Sequence, residues 1–206
     1  MSPVTNWELA LLARYAAARG GSPWLDGLAK ILATAGPWGT ACVLTALWLW
    51  GSRGVRDRVA LLEATAAGLL GLGVNQVFAA FFFRPRPYML GLVKPLITHA
   101  YETSFPSDHA TLMLGVGLYL LLFTRRRWAG AVLLLLGGAT AWARVYAGVH
   151  FPSDVLGSAG VAIAACVAVK AAASRVHPRL EGLVRLYARI ANGWIRRGWV
   201  RGIAPE

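Results

Sequence analysis

Apolar residues run almost unbroken through five stretches of this chain, at roughly 31–50, 60–83, 108–124, 128–147 and 154–173. A helix needs about 20 such residues to cross the hydrocarbon core of a bilayer. The pattern predicts an all-α, polytopic transmembrane bundle of about five spans. The third stretch is the shortest, and the first carries Gly36-Pro37, where a kink is expected. Residues 5–19 are too short to span and are interrupted by Glu8, Arg14 and Arg19. They are expected to form an interfacial helix, and the same charges argue against a secretory signal peptide. Near the other end, Leu180, Leu183, Val184, Tyr187, Ile190, Ala191 and Trp194 recur at helical spacing opposite Arg185, Arg189 and Arg196. Residues 178–200 therefore read either as a basic amphipathic helix on a membrane surface or as a helix packed on the bundle. A single domain over 1–206 accommodates all of this.

Composition agrees with that pattern. Of 206 residues, 57% are hydrophobic and only 15% charged, against roughly a quarter charged in soluble domains. The net charge of +12 would suggest nucleic acid in a soluble protein. Here the basic residues sit in tracts between apolar runs: Arg53, Arg56 and Arg58, then Arg125 to Arg127, then Lys170 and the arginines after it. No nucleic-acid partner is expected. If five spans alternate, the three tracts share one face, which the positive-inside rule makes cytoplasmic. The 84–107 loop and the 148–153 turn then face outward from the cytoplasmic membrane. Cys42 and Cys166 both fall within apolar runs and read as buried structural thiols.

The outward loops hold an unusual set of residues. Arg84-Pro85-Arg86-Pro87 ends the second apolar stretch, and Pro106-Ser107-Asp108-His109 opens the third. Arg144 closes the fourth, and His150 precedes Asp154 at the start of the fifth. Singly, each residue has an ordinary explanation, as a helix cap or an interfacial arginine. As a set they do not, because capping needs no histidine and the orientation rule disfavours outward arginines. Phosphoryl transfer needs this combination. Charge spread over three equatorial oxygens calls for several fixed donors. Arginine supplies planar, bidentate contacts and stays charged. A helix N-terminus at Ser107 to His109 adds backbone N–H groups. Two histidines serve as nucleophile and acid near neutral pH.

These residues resemble the type-2 phosphatidic acid phosphatase superfamily: Arg86-Pro87, then Pro106-Ser107-Asp108-His109, then Arg144, His150 and Asp154. Asn75-Gln76, the Arg84-to-Tyr88 run and the segment from His99 to His109 are most similar to bacterial undecaprenyl-diphosphate phosphatases. The motif core spans about 75–160. The resemblance implies a nucleophile at His150, a carboxylate at Asp154 that orients it, and an acid and base at His109. It further implies a phosphate cradle of Arg86, Arg144 and Ser107, with no metal or other cofactor. The expected reaction is hydrolysis of a lipid phosphate at the extracytoplasmic face, with undecaprenyl diphosphate as first substrate, and hence carrier recycling for the cell wall and bacitracin resistance. Phosphatidic acid and phosphatidylglycerophosphate are the alternatives. A transporter or binder that grips lipid phosphate without cleaving it is the reading from a different class. The chain departs from the pattern at three positions. Ala79 stands where the family has Lys, Ala143 where it has Ser, and Asp108 where it has Gly. Arg84 or Lys94 is the candidate replacement for the missing charge. Asp108 is expected either to pair with an arginine or to cap its helix. His99 and Glu102 either contact the distal phosphate or order their loop.

Overall fold

The computed structural model describes residues 4–52, 54–191, 194 and 199. Arg53, Arg196, Arg197 and Arg201 of the basic tracts lie outside them. The described residues form six α-helices: α1 Asn6–Ala18, α2 Pro23–Ala46, α3 Val55–Phe81, α4 Asp108–Phe123, α5 Arg127–Tyr146 and α6 Pro152–Ile190. No strand occurs among the described residues. Four of the helices are long and apolar enough to cross a membrane: α2 with its π-helical extension Leu47–Gly51, α3, α5 and α6. The third expected span, α4, has 16 residues. At 1.5 Å per residue it rises about 24 Å, short of the roughly 30 Å hydrocarbon core.

This short helix is the centre of the bundle, packed against α3, α5 and α6. Small residues permit that closeness. A Cβ on Gly130 of α5 would lie 2.4 Å from the Leu121 nitrogen of α4, so the two backbones touch. Val116, Tyr119, Leu120, Leu133, Ala64 and Ala67 fill the core at this level. Cys166 is buried there, whereas Cys42, expected in the interior, is exposed on the outer surface of α2.

Three elements differ from their sequence expectation. The helix α2 begins eight residues before the apolar run and continues through Pro37. Proline lacks the N–H that would bond four residues back, so the Ala33 carbonyl is released for another partner. The segment 178–190 is no separate helix: α6 passes through Pro178 without a break. Its Leu180 and Val184 pack on Val55, Val59 and Trp48, and Tyr187 meets the Trp48 ring edge-on at 5.1 Å. The packed-helix alternative describes these residues. Finally, α1 is anchored by more than an apolar face. Leu12 packs on Val93, Val145 and Phe151, and Glu8 is only 1% exposed.

Candidate active site

The C-terminal ends of α3 and α5 and the N-terminal ends of α4 and α6 meet at one end of the bundle, beneath the 82–107 loop. The basic starts of α3 and α5 lie at the other end. Between the converging ends is a cavity of about 380 Å³, lined by residues that include Ala79, Arg86, His99, Glu102, Asp108, His109, Arg144 and His150. Its size falls in the usual range for small-molecule sites.

His150 sits in the turn between α5 and α6. Gly148 makes that turn with φ +76°, where a Cβ would also strike Val93 at 2.6 Å. The imidazole is 1% exposed. Its Nδ1 lies 2.7 Å from the Ser104 carbonyl, to which it donates. Its Nε2 lies 3.0 Å from Arg86 Nη1 and 3.0 Å from Arg144 Nη2. Guanidinium groups only donate, so the proton belongs on Nδ1 and the Nε2 lone pair faces the arginines. Burial first, then the charges of Arg144 and Arg86, hold the imidazole well below its ordinary pKa and keep it neutral.

Both arginines are fixed from behind by backbone carbonyls. Arg86 donates to Glu102, Val149 and Thr103 carbonyls at 3.2, 2.9 and 2.9 Å. Arg144 Nη1 donates at 2.9 Å to the Ala33 carbonyl, the group that Pro37 released in α2. Its Nη2 also reaches His99 Nε2 at 2.8 Å, while its Nε is buried without a protein partner. Burial and the same two arginines lower the pKa of His99. Glu102 is more distant, with its carboxylate 4.0 Å from Arg86 and 63% exposed.

Asp154 is fully buried, and its carboxylate organises the wall behind His150. One oxygen pairs with Arg84 Nη1 at 2.5 Å. The other accepts the Phe151 N–H at 2.7 Å and the Ser104 hydroxyl, and stands 3.5 Å from His150 Nδ1. The Ser104 peptide thus lies between carboxylate and imidazole. Arg84, a candidate phosphate contact, is turned away from the cavity towards Asp154, Ser153 and Glu8, with its guanidinium 4.4 Å from the Phe151 ring centre. Lys94 also stands apart, exposed and absent from the cavity lining. Ser107 is completely buried at the N-cap of α4, its hydroxyl without a protein partner and its N–H bonded to Ser158 Oγ at 2.9 Å.

Asp108 does not pair with an arginine. Asn75 Nδ2 donates to it at 2.8 Å, and Gln76 Nε2 approaches at 3.5 Å, so two α3 amides hold the carboxylate. Ala79, at the position of the family lysine, lines the cavity. Sequence reasoning missed Ser104, Ser153 and Glu8. Ser104 lies inside the 99–109 segment already recognised for its resemblance, which was the available signal. Beside the cavity, Phe78, Phe81, Phe82, Phe83 and Phe105 line an aromatic recess of about 500 Å³, sharing Phe83 and Phe105 with it.

A buried neutral imidazole thus stands between two fixed guanidinium groups, an arrangement suited to holding a phosphoryl group. The family model described as PAP2 superfamily matches residues 59–177, and the chain belongs to that superfamily. It is a multi-pass membrane protein and a lipid phosphatase. Undecaprenyl-diphosphatase BcrC of Bacillus subtilis (strain 168) is 37% identical over 74% of this chain and 77% of its own length. Putative undecaprenyl-diphosphatase YbjG of Escherichia coli (strain K12) is 30% identical over 95% of this chain and 98% of its own length. Among solved structures, Aquifex aeolicus LpxE shares the fold with a TM-score of 0.65 at 24% identity, covering 80% of this chain and 95% of that one. The PAP2-type phosphatidylglycerolphosphate phosphatase of Bacillus subtilis gives a TM-score of 0.58 at 20% identity, covering 84% and 89%.

Proposed function

We propose that this protein hydrolyses undecaprenyl diphosphate to undecaprenyl phosphate through a phosphohistidine at His150, at the extracytoplasmic face of the cytoplasmic membrane. The observation that carries the chemistry is the environment of His150 Nε2, a lone pair 3.0 Å from each of two guanidinium groups. In this reading Nε2 attacks the terminal phosphorus, and the Nε2–P bond forms as the bridging P–O bond breaks. His109, protonated as the anionic diphosphate binds beside it, gives that proton to the departing lipid monophosphate. Arg86 and Arg144 turn their donors from Nε2 to the phosphoryl oxygens, joined by Ser107 and the amides at the α4 N-terminus. Water, deprotonated by His109, then cleaves the N–P bond and releases inorganic phosphate. Nδ1–H against the Ser104 carbonyl, with Asp154 behind, offsets the positive charge on the ring. Since the arginines supply the compensating charge, turnover needs no metal.

The choice of substrate rests on the two undecaprenyl-diphosphatase relatives and on the aromatic recess adjoining the cavity, which suits an unsaturated prenyl tail. The outward orientation rests on the basic tracts at the opposite end of the bundle. The test is phosphate release by purified protein in detergent with excess EDTA, offered undecaprenyl diphosphate, phosphatidic acid and phosphatidylglycerophosphate. Metal-independent release, fastest from the prenyl diphosphate, is expected. Binding of these lipids with no release from any of them would replace the enzyme by a lipid-phosphate binder.

A further inference from the structure

We propose that Glu8 of α1 is a positioning residue for this reaction, acting through Arg84 on the Asp154–Ser104 unit that holds the nucleophilic imidazole. The inference rests on the reading of His150 as nucleophile. A carboxylate in the first turn of a short terminal helix is ordinarily solvated, yet Glu8 is 1% exposed. Its two oxygens are divided between two tasks. One accepts the Thr5 N–H at 3.0 Å and the Thr5 hydroxyl at 2.8 Å, closing the start of α1. The other accepts the Ser153 hydroxyl and lies 3.4 Å from both the Ser153 N–H and Arg84 Nη2.

The path continues without a gap. Arg84 Nη1 donates to Ser153 Oγ at 2.7 Å and to Asp154 Oδ1 at 2.5 Å. The other Asp154 oxygen holds the Ser104 hydroxyl. Ser104 is pinned a second time, its N–H donating to the Arg84 carbonyl at 2.7 Å. The Ser104 carbonyl in turn receives His150 Nδ1–H. Every member is buried or nearly so, since Arg84 is 13% exposed and Asp154 and Ser104 not at all.

Charge explains why the path includes a second carboxylate. Asp154 and Arg84 alone would form a neutral pair, and the arginine would offset the carboxylate that faces the imidazole. Glu8 shares Arg84, so the trio carries one net negative charge, the complement of the charge that His150 gains on phosphorylation. Glu8 also fixes which way the guanidinium fork points, and thereby the rotamer of Asp154.

The test uses the full chain in detergent with undecaprenyl diphosphate. Glu8→Gln keeps the shape and one accepting oxygen but removes the charge. It is expected to lower kcat about tenfold, the scale of one charge-assisted hydrogen bond, with KM and Tm held. In an Arg84→Met background the same change is expected to have no further effect, because Glu8 acts through that arginine. Arg84→Gln, likewise uncharged, serves as the background if Arg84→Met does not fold. A kcat for Glu8→Gln within twofold of wild type overturns the proposal. So do effects of the two variants that multiply, or a loss confined to Tm and KM, each marking Glu8 as a strut for α1. A wild-type protein without turnover overturns the nucleophile reading, and the relay falls with it.

Discussion

Replacing Arg144 by lysine separates charge from geometry at the proposed phosphate site. The wild-type guanidinium spans two tasks, with Nη1 2.9 Å from the Ala33 carbonyl and Nη2 3.0 Å from His150 Nε2. A single ammonium on a shorter contact surface cannot hold the anchor and serve the transferring phosphoryl group together. Arg144→Lys therefore loses at least one preorganised donor to charged oxygen, worth about 1.5–3 kcal/mol. It also loses some positional order, for a combined cost of about 3–4 kcal/mol in the transition state. At 1.36 kcal/mol per factor of ten, kcat/KM should fall about 100- to 1000-fold. The assay is phosphate release at limiting undecaprenyl diphosphate, with Tm in detergent as the control for folding. A lysine variant within fivefold of wild type would refute the reasoning, since net positive charge alone would then suffice.

Two other predictions follow from the same geometry. Pro37→Ala restores an N–H that competes for the Ala33 carbonyl, so it should lower kcat by about fivefold, the scale of one weakened hydrogen bond, while Tm stays level or rises. A fall in Tm with unchanged kcat would show that the proline serves the helix and not the arginine. Folding lowers the pKa values of His150 and His99 from 6.5, in both cases chiefly through burial. An unfolded chain takes up those protons below about pH 6.5, so stability is full above that value and declines as pH falls through it. Tm measured from pH 8 to pH 5 should decrease on the acidic side, and a Tm that rises on acidification contradicts the buried neutral imidazoles.

Much of the helical plan was legible because a membrane span leaves a long apolar run with few ways to misread it. The errors fall where tertiary contacts assign a residue a different task. Glu8 reads as an interruption of a weak helix, because its partners Arg84 and Ser153 are 76 and 145 positions away. Residues 178–200 read as a segment of their own, yet α6 continues through Pro178, where Leu180 and Val184 find a surface on α3. Pro37 reads as a kink, while its consequence is a carbonyl freed for Arg144. Ser104 holds His150 through a main-chain oxygen, which leaves no signature in residue identity. The cavity residues themselves were legible through their spacing, and Arg86, His109, Arg144 and His150 do converge on one cavity. Arg84 and Lys94 do not: Lys94 is exposed, and an arginine two residues before Arg86 gives no hint that it faces a buried carboxylate.

The central claim is that Nε2 of His150 becomes covalently phosphorylated during turnover. The most direct measurement is rapid quenching of the enzyme with undecaprenyl diphosphate labelled in its terminal phosphate, followed by peptide mapping of the labelled protein. An acid-labile, alkali-stable phosphate on His150 is expected, forming no slower than turnover and absent from His150→Ala. Label on another residue, or full turnover by His150→Ala, would contradict it.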